Sequence, residues 1–184
     1  QAYDVNNSPV RAHTRVFDTL SRLAQDIGGT TPATQVSVLG YDANGNLTST
    51  QDPIGRSTGQ AFDALNRLTT VTDPFNGASA PTRFGYNGQG QLTSVTDPRG
   101  LVTTYTVNGH GETTALASPD TGATSYTFDP SSNLKTKLDA RGVQASFTFD
   151  SLNRPLTATY PDEAVAFTYD SCTNGVGRLC SVTD

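Results

Sequence analysis

Apolar and polar positions alternate in short runs along most of the chain. Phe84 and Tyr86, Tyr105 and Val107, Tyr126 and Phe128, Phe147 and Phe149, and Phe167 and Tyr169 each stand two apart, with Thr, Ser or Gly between them. Period two in β-branched and aromatic residues predicts strands with one apolar face. No segment keeps a helical period. Residues 19–29 could make one helical turn, but the repeat register described next overrules that reading.

Each run ends in an aromatic–Asp pair, two variable residues, a Gly or Asn, often an Arg or Asn, and then a Leu. The copies begin at Phe17-Asp18 (with Leu23), Tyr41-Asp42 (Leu47), Phe62-Asp63 (Leu68), Tyr86-Asn87 (Leu92), Phe128-Asp129 (Leu134), Phe149-Asp150 (Leu156) and Tyr169-Asp170 (Leu179). A degenerate copy lies at Val107-Asn108, and Tyr3-Asp4 reads as the remnant of a ninth. Successive copies are 20 to 24 residues apart, so the chain is an array of eight repeats of about 21 residues over 1–184. In this core the Asp accepts from amides two residues on, and Gly or Asn tolerates positive φ, which predicts a hairpin turn. A second landmark follows each core: Asp52-Pro53, Asp73-Pro74, Asp97-Pro98, Pro119-Asp120, Asp139-Ala140 and Pro161-Asp162, often with Gly two later. There Pro presets φ for the turn to the next unit.

One hairpin cannot bury its own aromatic row. Stacked side by side, the hairpins predict about fifteen strands in one long, curved antiparallel sheet, with aromatics and Leu on one face and Thr, Ser and Asn on the other. The expected fold class is therefore all-β, a tandem β-hairpin array. Its open ends, together with a chain that begins at Gln1 and contains no Met, predict a segment of something longer.

Composition narrows the function classes. Charged residues are 16% of the chain and the net charge is -5, which argues against a nucleic-acid partner. No apolar run approaches the roughly 20 residues of a membrane helix, so no membrane span is expected. Val, Thr, Tyr and Phe are common enough to predict an ordered chain despite 17 Gly and 10 Pro.

Tyr-Asp-x-x-Gly-Arg-Leu-Thr followed by Asp-Pro-x-Gly resembles the YD repeats of Rhs proteins, over roughly residues 14–184. That family includes Rhs polymorphic toxins, the shell components of Tc toxins and the teneurins. The resemblance implies a spiralling β-sheet wound into a hollow cocoon that, in bacterial members, encloses a C-terminal toxin. The implied function is a non-catalytic stretch of shell wall. The implied partners are the remaining repeats of the parent shell and the enclosed toxin domain, and the implied location is secreted or cell-surface. Rhs shells self-cleave after Asp-Pro-x-Gly-Leu, which Asp97–Leu101 spells. The same turn recurs at Asp52–Gly55, further repeats follow Leu101, and the family's terminal signature is absent, so a structural turn is expected.

Little else points to chemistry. Cys172 and Cys180 bracket a turn with about four extra residues. Disulfide, free thiols and a metal pair are the alternatives. An even pair flanking a hairpin tip favours the cross-strand disulfide, and no His lies nearby to complete a metal site. His110 lies in a turn and His13 in an irregular stretch; neither selects a nucleophile and a carboxylate, so no catalytic residue, metal or cofactor is expected. Asp42–Asn46 has the wrong Gly position for a calcium loop and reads as a turn. Arg22, Arg67, Arg154 and Arg178 recur beside turns and are expected to meet a carboxylate or carbonyl of the next repeat. Exposed aromatic rows would suit glycans, which makes an extracellular carbohydrate- or cell-surface-binding module the alternative function; buried rows would be a structural ladder.

Overall fold

In the computed structural model the chain is all-β, a tandem series of antiparallel hairpins. The structure describes residues 2–3, 9–29, 35–73, 75 and 80–184. These hold seventeen strands, two more than the alternation suggested. The fold divides into two compact units, Gln1–Gly85 with Val95–Leu101, and Tyr86–Ser94 with Val102–Asp184.

The first unit contains β1 (Ala2–Tyr3), β2 (Pro9–Phe17), β3 (Leu23–Gly29), β4 (Gln35–Tyr41), β5 (Leu47–Gln51), β6 (Ser57–Phe62), β7 (Leu68–Thr72) and most of β8 (Thr82–Tyr86). Each pairs antiparallel with the next. Of the segment 19–29 that could have made a helical turn, 19–22 lie in the turn before β3 and 23–29 form β3. Asp4, and with it the turn of any ninth copy, lies outside the described residues, as does Pro74.

β9 (Leu92–Thr96) is divided between the units. The second unit continues with β10 (Val102–Val107), β11 (Thr113–Ser118), β12 (Gly122–Phe128), β13 (Leu134–Leu138), β14 (Gln144–Phe149), β15 (Pro155–Thr159), β16 (Ala164–Tyr169) and β17 (Leu179–Thr183). From β10 to β17 it is again an open antiparallel meander.

One irregularity repeats. Beside the aromatic–Asp turns the returning strand carries one unmatched residue. Phe17 faces Leu23 while Val16 faces Gln25, which leaves out Ala24; Tyr41 faces Leu47 while Gly40 faces Ser49, which leaves out Thr48. Such a bulge sharpens the local twist. The same register corrects one expected core position. Phe149 faces Pro155, and Leu156 is the unmatched bulge residue. The loop Asp150–Arg154 has the standard five residues, so the strand resumes one position before Leu156. Proline is tolerated there because it is the first residue of its strand.

The pleat sorts the two faces of the second unit. Tyr105, Tyr126, Phe128, Phe147, Phe149, Phe167 and Tyr169 are half-buried, whereas Thr104, Thr106, Ser125, Thr127, Thr148 and Thr168 are exposed. Across strands Tyr105 faces Leu116, Phe147 faces Ala158 and Phe167 faces Val182. The opposite face is a hydroxyl ladder. Thr127 Oγ1 lies 2.6 Å from Thr136 Oγ1, and Thr148 Oγ1 lies 2.7 Å from Thr157 Oγ1. The most enclosed apolar side chains are small ones, Ala145 and Ala158 at 7% and 9% exposure, and no large side chain is fully buried among the described residues.

Candidate functional site: the turn ladder, the disulfide loop and a cleft

The two turn signals of the sequence fold into one structure. In Asp18–Arg22 the Asp18 amide donates to the Arg22 carbonyl at 2.8 Å and the Ser21 amide to the Asp18 carbonyl at 3.0 Å. Asp18 Oδ1 accepts from the amides of Leu20 and Arg22, and Oδ2 from Arg22 Nε at 2.8 Å. Asp52–Arg56, an Asp-Pro turn, repeats every one of these bonds. The fourth residue lies at positive φ whatever its identity: Gly55 at 85°, Gly100 at 84°, Asn66 at 59°, Ser132 at 64°. The carboxylate therefore caps the loop, the fourth residue reverses it, and proline is optional.

Asp97–Leu101 is one more such turn. Asp97 Oδ1 accepts from the Arg99 and Leu101 amides, Oδ2 from Arg99 Nε, and the chain runs on into β10. Asp42 Oδ1 accepts from the Asn46 amide and Oδ2 from Asn46 Nδ2, so both oxygens of the supposed calcium loop serve the turn. His110 donates its amide to Asn108 Oδ1 as a turn residue. His13 Nε2 lies 2.9 Å from Asp26 Oδ1. Among the described residues no three His, Cys, Asp or Glu side chains gather as a metal site.

The turns are linked sideways. Arg22, bound to its own Asp18, also donates to the Asp42 carbonyl at 3.0 Å and lies 4.6 Å from the centroid of the Tyr41 ring. Tyr41 OH donates to the Leu23 carbonyl. Arg154 repeats this with Asp150, with Asp170 and with the Tyr169 ring at 4.4 Å. Where Asn replaces Arg, Asn46 Nδ2 reaches Asn66 Oδ1 and Asn133 Nδ2 reaches Asn153 Oδ1, both at 2.8 Å. For Arg22 and Arg154 the expected carbonyl or carboxylate partner in the next repeat is present, and the bond to the residue's own turn comes in addition. Because Arg22 and Arg154 lie over Tyr41 and Tyr169, these rings are rungs of a ladder, and stacking of sugars on them receives no support.

The ladder sets the acid response. The backbone amides and then the guanidinium groups of Arg22, Arg67 and Arg154 hold Asp18, Asp63 and Asp150 below the ordinary carboxylate range, against a partial burial that raises them. The side-chain amides of Asn46 and Asn133, followed by other turn donors, do the same for Asp42 and Asp129. An aspartate lowered in the folded state binds protons more weakly than in the unfolded chain. Its contribution is complete above the unfolded value of about 3.9 and is lost as pH falls through the folded value. Urea midpoints are expected to fall most steeply below about pH 4, with a shallower fall in Asp150→Asn. A main loss centred above pH 5 would assign acid sensitivity to other groups.

Cys172 and Cys180 form a disulfide with Cα atoms 5.4 Å apart. It closes the enlarged turn, in which the Asp170 amide donates to the Arg178 carbonyl and the Gly175 amide to the Cys172 carbonyl. Cys180 occupies the bulge position of its strand, since Tyr169 faces Leu179 and Thr168 faces Ser181. The first unit also holds a cleft of about 480 Å³ whose lining includes Leu23, Asp26, Leu39, Asp73 and Phe75. Arg56 beside it is committed to Asp52 and lies 5.1 Å from the Phe75 ring centroid.

A family model described as RHS Repeat matches residues 41–78 and 82–106, the stretch that carries the Tyr41, Phe62 and Tyr86 turns. The matched residues carry RHS repeats. The fold of the chain is also found in solved Tc toxin structures. A TcdB2-TccC3-TEV crystal structure aligns at TM-score 0.70 and 14% identity over 98% of the chain. TcdB2-TccC3 aligns at 0.67 and 12% over 94%, and a Photorhabdus luminescens Tc holotoxin pore at 0.66 and 14% over 88%. The RHS-repeat chain spans about a tenth of the length of those chains: 11%, 10% and 10%. No curated protein matches its sequence.

Proposed function

We propose that this RHS-repeat segment is a non-catalytic stretch of shell wall whose parent encloses a toxin cargo and releases it outside the producing cell, toward competing or host cells. The carrying observation is the half-covered aromatic face. The second unit orders seven aromatic side chains at half burial, and among the described residues its most enclosed apolar side chains are two alanines. A sheet of this kind has apolar surface to offer to material lying against it. The carboxylates that could have served chemistry are bound into turns, which supports a structural role. The likeness in fold to a Tc holotoxin pore and to TcdB2-TccC3 supports reading the parent as a toxin component.

Limited proteolysis of the longest native chain containing these residues, before and after unfolding, tests the reading. A C-terminal fragment that survives only in the native sample and copurifies with the repeats is expected. Resistance confined to the repeats, with every flanking piece digested, would overturn it.

A further inference from the structure

The turn at Asp170 breaks the rule that the others obey. Elsewhere the leading Asp binds the fifth residue of its own loop, as Asp150 binds Arg154. In Asp170–Arg178 the Asp170 amide still donates to the Arg178 carbonyl, but with four extra residues in the loop the Arg178 amide donates to the Gly175 carbonyl instead of to the Asp170 carboxylate. Asp170, itself at φ 66°, then turns its carboxylate to two other donors. Oδ1 accepts from the Gly177 amide at 2.6 Å, and Arg154 grips both oxygens, Nη1 to Oδ1 at 3.2 Å and Nη2 to Oδ2 at 2.8 Å. Arg22, by contrast, reaches only the backbone carbonyl of Asp42. Bidentate pairing of this kind is directional and depends on a fixed carboxylate.

The disulfide closes the ring from which one of these donors comes. Residues 171–174 and 176–179 are exposed, so little packing holds the loop. Its backbone bonds, from the Gly175 amide to the Cys172 carbonyl and from the Arg178 amide to the Gly175 carbonyl, lie beside the sulfurs: the Cys172 amide lies 3.0 Å from Cys180 Sγ, and a Cβ at Gly175 would lie 2.6 Å from Cys172 Sγ and 2.8 Å from Cys180 Sγ. Gly177, the donor to Asp170, lies inside the closed ring. We propose that the Cys172–Cys180 disulfide is a redox-dependent clasp on the β16–β17 hairpin, fastening the Asp170–Arg154 link in an oxidising compartment and releasing it in a reducing one. Release is by thiol exchange. A dithiol reductant gives two electrons and two protons to the protein sulfurs, leaving two cysteine thiols, and becomes a disulfide itself. The clasp goes beyond the shell reading and does not depend on a cargo.

Hydrogen exchange of the native full-length chain, oxidised and after dithiothreitol, tests it. In the reduced form, amides of residues 164–183 are expected to exchange about tenfold faster or more, since the closed loop no longer restricts local opening. Residues 134–149, in the strands β13 and β14 that do not touch this hairpin, should be unchanged, which also shows that the chain remains folded. The Cys172→Ser/Cys180→Ser variant should match the reduced form, and Asp170→Asn should loosen the hairpin while oxidised. Equal protection in both states, loss of protection across 134–149 as well, or two free thiols in the native chain would each overturn the proposal.

Discussion

Replacing Phe147 with alanine is expected to cost about 2–3 kcal/mol of unfolding free energy. Phe147 faces Ala158, which faces Val165 in turn, so it stands opposite one of the two most enclosed apolar side chains among the described residues. The Tyr160 ring meets it edge-on, with centroids 6.4 Å apart and planes at 88°. A fully buried Phe→Ala change costs about 3–5 kcal/mol; Phe147 is half-buried and its site opens to solvent, which places the effect below that range. The comparison is Thr148→Ala, one residue on and on the other face. It gives up a hydroxyl contact with Thr157 at 2.7 Å and should cost no more than about 1 kcal/mol. Denaturant midpoints of the native chain and the two variants decide the matter. Equal losses would mean that the aromatic face contributes no more than the hydroxyl face, and the account of the core would be wrong.

The alternation that named these two faces was readable because strand side chains have a period of two residues, and the aromatics keep to it. The turns were readable because their chemistry is local. An Asp that caps its own loop and a residue that accepts positive φ need no tertiary partner, and both fall at fixed spacing from the aromatic. What the residues did not reveal depends on pairing across strands. The bulge is a mismatch between two strands, and neither shows it alone. For that reason the Leu156 that marks its repeat copy in the sequence does not show that Pro155 is the residue facing Phe149. Proline did mislead elsewhere. It marked the Asp-Pro turns as a separate class, although Asp52–Arg56 and Asp18–Arg22 make the same bonds. Arginine recurring at the fifth loop position could have shown this, since it follows both Asp18 and Asp52.

The lateral links were half legible. A partner in the next repeat was expected for the recurrent arginines, and Arg22 and Arg154 find one. That each arginine is first bound to its own turn, and lies over the following tyrosine, requires the twist that brings neighbouring turns together. The cysteine pair was legible from its position about a hairpin tip. Gly175 was not. It is one glycine among 17, it carries no positive φ, and its reason lies in the two sulfurs packed against it.

The strongest single-residue effect in the chain is therefore expected at that glycine. A Cβ at position 175 would lie 2.6 Å from the Cys172 carbonyl oxygen as well as against both sulfurs. The clash with the sulfurs could be relieved only by moving the disulfide, and the clash with the oxygen only by moving backbone. The backbone is held: the Gly175 amide donates to that same carbonyl at 2.8 Å, and the Gly175 carbonyl accepts from the Arg178 amide at 2.8 Å. Overpacking of this kind costs about 1–3 kcal/mol, and a loop of this size left unclosed gives up about 2–3 kcal/mol more. Gly175→Val is thus expected to lose about 3 kcal/mol or more, with free thiols appearing in the folded protein. Val176→Ser, at a neighbouring position that is 89% exposed, should change stability by less than about 0.5 kcal/mol. Introduced into the Cys172→Ser/Cys180→Ser background, Gly175→Val should cost less than it does alone, because the part of its effect that runs through the disulfide has already been removed. Thiol titration beside urea unfolding measures both halves. Gly175→Val with a closed disulfide and an unchanged midpoint would show that the loop accommodates a side chain there, and that the packing of Gly175 against the sulfurs does not hold the turn.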